Sequence, residues 1–261
     1  MTRRQQQRLQ RGVLYALFIA VVAWLAASAD WETFTREFLD LETARDMFPG
    51  VVTVAAWNTV QYTAISFVLG FAGGLVLALM RLSPVAPYRW LATVYIETFR
   101  GIPALLTIIL FAVGVPIAFG WNPPGGNVGA AVIGLSVVAA AYMAETIRAG
   151  IEAVPKGQVE AARSLGMSPF RSTVSVVLPQ AFRIVIPPLT NELVLLIKDT
   201  SLFALIGVTA GTRELTNFAR NELFSAANST PLVVAGLLYI AVTVPLTQVV
   251  RRLEKRNSRS R

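Results

Sequence analysis

Several ionisable residues sit in stretches that are otherwise apolar enough to cross a membrane: Glu97, Arg100, Glu145, Arg148, Glu192, Lys198 and Asp199. A charge held against lipid costs roughly 3 kcal/mol by insertion scales, so such groups face a bundle interior, a water-filled cavity or one another. Glu97 and Arg100 stand three residues apart, as do Glu145 and Arg148. That spacing places each pair on one helical face and predicts structural ion pairs near one membrane interface. Lys198, Asp199, Thr200 and Ser201 are different: they put both signs and two hydroxyls into four consecutive residues, mid-way along an apolar stretch. The chemistry open to them is electrostatic recognition of a polar solute; the structural alternative is a charge pair that locks one helix in register. Successive helical residues lie about 100° apart, so all four cannot face one cavity unless the helix breaks nearby. Pro187-Pro188 removes two backbone donors and predicts such a break, or a kink.

Catalysis has no residues to draw on. The chain holds no Cys and no His, which removes thiolate chemistry and the commonest metal ligand and proton shuttle. It carries no metal-ligand cluster and no nucleophile–base pair, so the expectation is a non-enzyme with no metal site and no cofactor of its own. No G-x-x-x-x-G-K-[ST] pattern occurs, so the chain cannot cradle ATP in a P-loop.

The elements that must position these residues are helices. Of 261 residues, 54% are hydrophobic and only 15% charged, against roughly 25% charged in soluble domains. Apolar runs of about 20 residues match the ~30 Å of a bilayer core at about 1.5 Å per residue. The reading is an all-α polytopic membrane protein of about six spans: Val13–Ala29, Ala55–Met80, Trp90–Phe119, Val128–Arg148, Arg183–Val208 and Pro231–Val250. The first is read as a retained anchor, although Ala27-Ser28-Ala29 resembles a cleavage site. Residues 30–50 carry Trp31, Phe34 and Phe38 and suit an interfacial helix. Gly70 and Gly74 form a G-x-x-x-G pair that lets a second helix approach closely. Residues 209–230 read as a loop.

Lys and Arg gather on alternate loops. Arg3, Arg4, Arg8 and Arg11, then Arg81 and Arg89, then Arg148, Lys156, Arg163, Arg171 and Arg183, then the tail from Arg251 to Arg261 lie on one side, while Arg36, Arg45, Arg213 and Arg220 lie on the other. The bias predicts both termini in the cytoplasm. The net charge of +8 is explained the same way, by basic cytoplasmic loops meeting anionic lipid, so nucleic acid is not an expected partner.

Between the fourth and fifth spans lies a polar, basic stretch punctuated by Gly and Pro. Pro155 suits a first helical turn, Gly166 a left-handed stop, and Ser168-Pro169 an N-cap with a first-turn proline, so two short helices are expected. Val159, Ala162 and Leu165 share one face of the first; Phe170, Val174 and Val177 share one face of the second.

Glu160-Ala161-Ala162, three residues on Gly166, then Leu178-Pro179, resembles the EAA loop of inner-membrane permeases of ATP-binding-cassette (ABC) importers. Four further words resemble the polar amino-acid branch: Glu97-Thr98-Phe99-Arg100-Gly101-Ile102-Pro103, Ala144-Glu145-Thr146-Ile147-Arg148-Ala149-Gly150, Val154-Pro155-Lys156-Gly157-Gln158 and Lys198-Asp199-Thr200-Ser201-Leu202. The likeness runs from about Asn58 to about Val250. Thr107 departs from it, standing where many amino-acid members carry Gln, and so does Val176, where Ile or Leu is usual.

The resemblance implies a type I importer core of five helices within residues 51–250, preceded by a tail, anchor and external segment in 1–50 and followed by a basic tail in 251–261. It implies a cytoplasmic coupling loop at about 150–182, with Val159, Glu160, Ala161, Ala162, Arg163, Leu165, Gly166 and Met167 meeting a separate ATPase dimer that holds ATP and Mg. A second permease, identical or homologous, completes the pore, and an extracytoplasmic solute-binding protein delivers an amino acid. Glu97, Arg100, Glu145, Glu192, Lys198, Asp199, Thr200 and Ser201 are the expected substrate pathway, in a bacterial cytoplasmic membrane. Two other classes fit less well. An ion-coupled secondary transporter should show an internal repeat and needs no protruding loop, and a membrane-embedded enzyme or sensor should show a constellation that is absent here.

Overall fold

The computed structural model describes residues 3–121 and 123–258; Arg259 and Arg261 of the basic tail lie outside the described residues, as do Met1, Thr2 and Asn122. No strand occurs among the described residues. In chain order the helices are α1 (Arg3–Ser28), α2 (Trp31–Phe38), α3 (Leu41–Asp46), α4 (Trp57–Leu82), α5 (Ala86–Gly101), α6 (Ala104–Ile109) and α7 (Val115–Phe119). They continue as α8 (Gly126–Glu152), α9 (Lys156–Ser164), α10 (Pro169–Ser172), α11 (Leu178–Asp199), α12 (Leu215–Ala226) and α13 (Thr230–Ser258). Short π-turns at Val51–Ala56, Leu110–Gly114 and Thr173–Val177 join neighbours, and 3₁₀ turns occupy Thr200–Leu205 and Ala210–Thr212.

Among the described residues, five helical segments are long and apolar enough to span a membrane: Gln10–Ser28, Val51–Leu82, Gly126–Glu152, Pro169–Leu205 and Thr230–Lys255. A sixth arises if α5 and α6–α7 count as one span, but they meet at 106°. The expected third span, Trp90–Phe119, is therefore broken in its middle. The cause is Pro103, which pushes Ile102 into extended backbone (φ −88°, ψ 134°), because the ring collides with a helical predecessor. At Pro187-Pro188, where the sequence predicted a break, α11 instead runs through as one helix. Val185, Pro187 and Leu189 are buried there, and Val185 and Leu189 belong to the main core, so packing holds the backbone helical despite the lost donors.

Helix α8 is the axis of the bundle. Within its candidate span 72% is buried, against 28% for the span containing α4 and 17% for that of α13. Its alanines and glycines (Ala130, Ala131, Gly134, Ala139, Ala140, Ala141) are buried, and small side chains let neighbours come close. Gly70 and Gly74 of α4 behave as the G-x-x-x-G pair predicts. A Cβ on Gly70 would stand 2.7 Å from the Ala139 Cβ, and one on Gly74 would stand 2.9 Å from the Met143 Cβ.

The expected loop at 209–230 is mostly helix. Leu215 and Ala219 of α12 are buried, and Leu215 joins Met47, Val51 and Ala55 in a second cluster. The apolar spacing Leu215–Phe218–Ala219 was a helical signal in the sequence. Because Met47 is in this cluster, the end of the 1–50 segment packs on the bundle rather than standing apart. By contrast, α1 buries nothing along its candidate span.

Candidate functional site

The charged words of α5 and α8 meet the end of α4. Arg81 reaches two carboxylates: its Nη1 lies 3.1 Å from Glu145 Oε2 and its Nη2 3.5 Å from Glu97 Oε1. Glu145 also pairs with Arg148, whose Nε donates to Glu145 Oε2 at 3.2 Å, and Arg148 bridges on to Glu152. The i,i+3 expectation holds for Glu145–Arg148 and fails for Glu97–Arg100. Glu97 takes Arg81 instead, while the Arg100 guanidinium lies over the Tyr142 ring, 5.6 Å from its centroid. Arg81 and Tyr142 were missed because their partners lie far along the chain, 64 residues from Arg81 to Glu145, and no local spacing encodes such a meeting.

Arg100 lies within electrostatic range of two carboxylates. It acts electrostatically on Glu145 of α8 and on Glu192 of α11. Asp199 acts on Glu192 as well, and Lys198 on Asp199. Glu192 and Asp199 are half-buried, whereas Lys198 is exposed. The helix changes character immediately after them: α11 ends at Asp199 and Thr200–Leu205 winds as a 3₁₀ turn. Thr200 is fully buried and its Oγ1 donates to the Ile197 carbonyl at 2.7 Å. That hydroxyl is therefore spent on the chain's own backbone, and Ser201, the next hydroxyl along the chain, is half-buried.

The elbow between α9 and α10 follows its sequence closely. Gly166 adopts φ +83°. Its N–H donates to the Arg163 carbonyl at 3.0 Å, and the Met167 N–H reaches back to the Ala162 carbonyl at 3.1 Å. These two bonds are the Schellman stop, which needs a left-handed residue. Arg163 Nη1 adds a bond to the Met167 carbonyl at 2.8 Å. Ser168 then caps α10 by accepting from the Arg171 N–H. The second short helix is not separate, however, since Pro169–Leu205 forms one candidate span.

The faces of the elbow divide. Ala162 is 6% exposed, and Val159 packs against Val154, Val177 and Ala181. Leu165 is 85% exposed and Phe170 78%. Val159 and Ala162 thus hold α9 onto the chain itself, and the apolar surface offered outward is Leu165 with Phe170. Glu160, Ala161, Arg163 and Gly166 are exposed, and Met167 is half-buried.

One buried carboxyl escaped the sequence reading. Glu214 is 1% exposed. It caps α12, accepting the Thr216 and Asn217 N–H groups at 2.6 Å each and the Tyr239 hydroxyl at 3.1 Å. Burial pushes its pKa up to about 7, against the pull of these donors. Beside it, Thr59 of α4 accepts the Leu215 N–H at 3.1 Å. Three helices therefore converge where the second cluster meets the loop. Among the described residues no group of His, Cys, Asp and Glu could hold a metal ion.

Residues 70–259 match the family model described as binding-protein-dependent transport system inner membrane component. The chain is 37% identical to a probable glutamine ABC transporter permease protein of Bacillus subtilis, over 78% of this chain and 92% of that one. It is 34% identical to the arginine transport system permease protein of the same organism, over 76% and 88%. Its fold superposes with a TM-score of 0.75 on a chain of an amino acid ABC transporter crystallised with histidines, at 32% identity, covering 83% of this chain and 98% of that chain. A helical bundle, a glycine-stopped elbow and near full-length relatives agree, and the chain belongs to the family of inner-membrane components of binding-protein-dependent transport systems, the permease subunits of ABC importers.

Proposed function

We propose that this chain forms half of an amino-acid pore, and that the acidic pair Glu192–Asp199 with Arg100 recognises the substrate's charged groups at membrane depth. A zwitterion needs acceptors for its ammonium and donors for its carboxylate, and burying either unpaired is costly. Asp199, Glu192 and Ser201 supply acceptors, and Arg100, released from a single dedicated carboxylate, supplies a donor. The observation that carries this reading is the placement of Arg100: its neighbour Glu97 pairs with Arg81 instead, and the Arg100 guanidinium lies over the Tyr142 ring, 5.6 Å from its centroid.

A second permease completes the pore and a solute-binding protein feeds it. Residues 51–250 make the transport core, with both termini and the elbow on the cytoplasmic side. ATP and Mg are held by a partner ATPase dimer, against which Leu165, Phe170, Met167, Glu160 and Arg163 dock. Closure of that dimer draws two elbows together, and rigid helices carry the motion to a gate, giving alternating access around the charged site.

The test is Asp199→Asn in the reconstituted transporter. ATP hydrolysis should need a higher concentration of amino-acid-loaded binding protein for half-maximal stimulation, with basal hydrolysis and assembly unchanged. Poor assembly, with a surviving fraction that keeps the wild-type concentration dependence, would show that the pair only locks α11 in register.

A further inference from the structure

We propose that α2 is a membrane-surface helix whose aromatic face lies in the lipid interface, so that the segment joining α1 to the bundle docks on the bilayer. Its sequence puts Trp31, Phe34 and Phe38 within about 60° of one another at about 100° per residue, with Glu32, Arg36 and Glu37 on the rest of the circumference. The rings touch in series: Trp31 and Phe34 meet edge-on at 5.8 Å, and Phe34 and Phe38 stack at 5.2 Å. None of the residues of α2 is buried, and the three aromatics are 55%, 42% and 40% exposed.

The direction of this face is fixed by its first ring. The candidate span in α1 ends at Ser28, and α2 starts at Trp31, capped by Asp30, whose Oδ1 accepts the Thr33 N–H at 3.0 Å. The Trp31 indole N–H turns back and donates to the Ala26 carbonyl at 2.7 Å. Ala26 belongs to the spanning segment, so the indole lies on the membrane side of α2, and Phe34 and Phe38 follow it along that side. An indole at the end of a span, its ring apolar and its N–H satisfied, suits the headgroup boundary.

The opposite end of α2 is held to the protein. The Ser229 N–H donates to the Glu37 carbonyl at 2.7 Å, the Asp40 N–H to Thr230 Oγ1 at 3.0 Å, and Asn228 Nδ2 to Thr43 Oγ1 at 2.9 Å. These bonds engage the turn between α12 and α13 through backbone and polar side-chain atoms, none of them from the aromatic residues. The occupant of the free face is therefore lipid, held by apolar contact. Glu32 and Glu37 outnumber Arg36, so anionic lipid is not required. A protein arriving from the aqueous side would meet the charged face instead.

The chain has no Cys, so single cysteines can be introduced into the full-length protein without other changes. Nitroxide labels at Phe34→Cys, Phe38→Cys, Glu32→Cys and Arg36→Cys, in transporters reconstituted with cysteine-free partners into phosphatidylcholine vesicles, report collisions with oxygen and with a water-soluble nickel chelate. Positions 34 and 38 should show a several-fold higher oxygen-to-nickel ratio than 32 and 36. In a variant whose only tryptophan is Trp31 (Trp24, Trp57, Trp90 and Trp121 each replaced by Phe), lipid brominated near the headgroup end should quench the emission. Equal ratios at all four positions would place the aromatic face in water and overturn the proposal. Low access to both reagents at 34 and 38, with no quenching by brominated lipid, would show a protein covering that face and overturn it as well.

Discussion

The seam between α4 and α8 offers a quantitative test at Gly74. A methyl group there would stand 2.9 Å from the Met143 Cβ, 3.0 Å from the Ala144 nitrogen and 3.1 Å from the Ala140 carbonyl oxygen. Carbon atoms normally rest about 3.5–4.0 Å apart. Two of these neighbours are backbone atoms of a helix that is itself packed on other sides, so no flexible side chain can move away and the two helices must separate. Overpacking of this kind costs about 1–3 kcal/mol. Gly→Ala in a helix gains about 1 kcal/mol from backbone entropy, which would mask part of that cost. Gly236 of α13 provides the correction, because a Cβ there meets nothing within 4 Å. The propensity gain is shared by both variants, so Gly74→Ala minus Gly236→Ala isolates the steric cost. At about 2–4 °C per kcal/mol for a chain of this size, Gly74→Ala should melt roughly 2–12 °C below Gly236→Ala, as read by thermal unfolding of the purified protein in detergent. Gly70→Ala, with its Cβ 2.7 Å from the Ala139 Cβ, should fall on the same side. If Gly74→Ala and Gly236→Ala melt together within about 1 °C, about 0.3 kcal/mol on the same scale, the close packing of α4 on α8 is not what holds the bundle.

Arg81→Gln should cost about 1–3 kcal/mol, since it strips Glu145 of a partly buried partner, whereas Glu97→Gln should cost under about 1 kcal/mol because Glu97 is 62% exposed in its pair; equal losses of melting temperature would dismiss Arg81 as the hub. Glu214 makes stability depend on pH. Its pKa is raised from 4.5 to about 7 in the folded chain, so between those values the folded state holds a proton that the unfolded state has lost, and stability falls as pH rises through that window. Glu214→Gln should flatten this decline when melting is followed from pH 4.5 to pH 7, and an unchanged slope would acquit Glu214. Deleting residues 1–28 should leave the melting temperature of the core unchanged, whereas deleting 1–50 should lower it, because only the longer cut removes buried Met47 and the Asp40 and Thr43 bonds to the α12–α13 turn. Gly166→Pro cannot reach φ +83° and loses the N–H given to Arg163, so ATPase assembly or transport should fall while the membrane core still folds. Wild-type transport by this variant would remove the elbow from the coupling route.

Local chemistry determined much of this molecule directly from the sequence. Apolar length located five of the six expected spans, because hydrocarbon thickness and helical rise leave little choice, while the third is bent by 106° between α5 and α6. Gly70 and Gly74 announced a close seam, and Gly166 with Ser168-Pro169 wrote the elbow residue by residue, because a left-handed stop and an N-cap are properties of single positions. The tertiary structure decided what depends on distant partners. Pro103 broke its helix while Pro187-Pro188 did not, since buried neighbours hold the second pair helical and the residue before Pro103 is pushed to extended backbone. Glu97 abandoned its neighbour Arg100 for Arg81, because the fold brought a second cation within reach and left Arg100 over the Tyr142 ring. Ala162 turned inward and Leu165 outward although helical spacing gave them one face, because α9 packs on the start of the fifth span along only part of that face. Glu214 became buried at a junction of three helices, where the tertiary fold, rather than any local spacing, takes its carboxyl out of water.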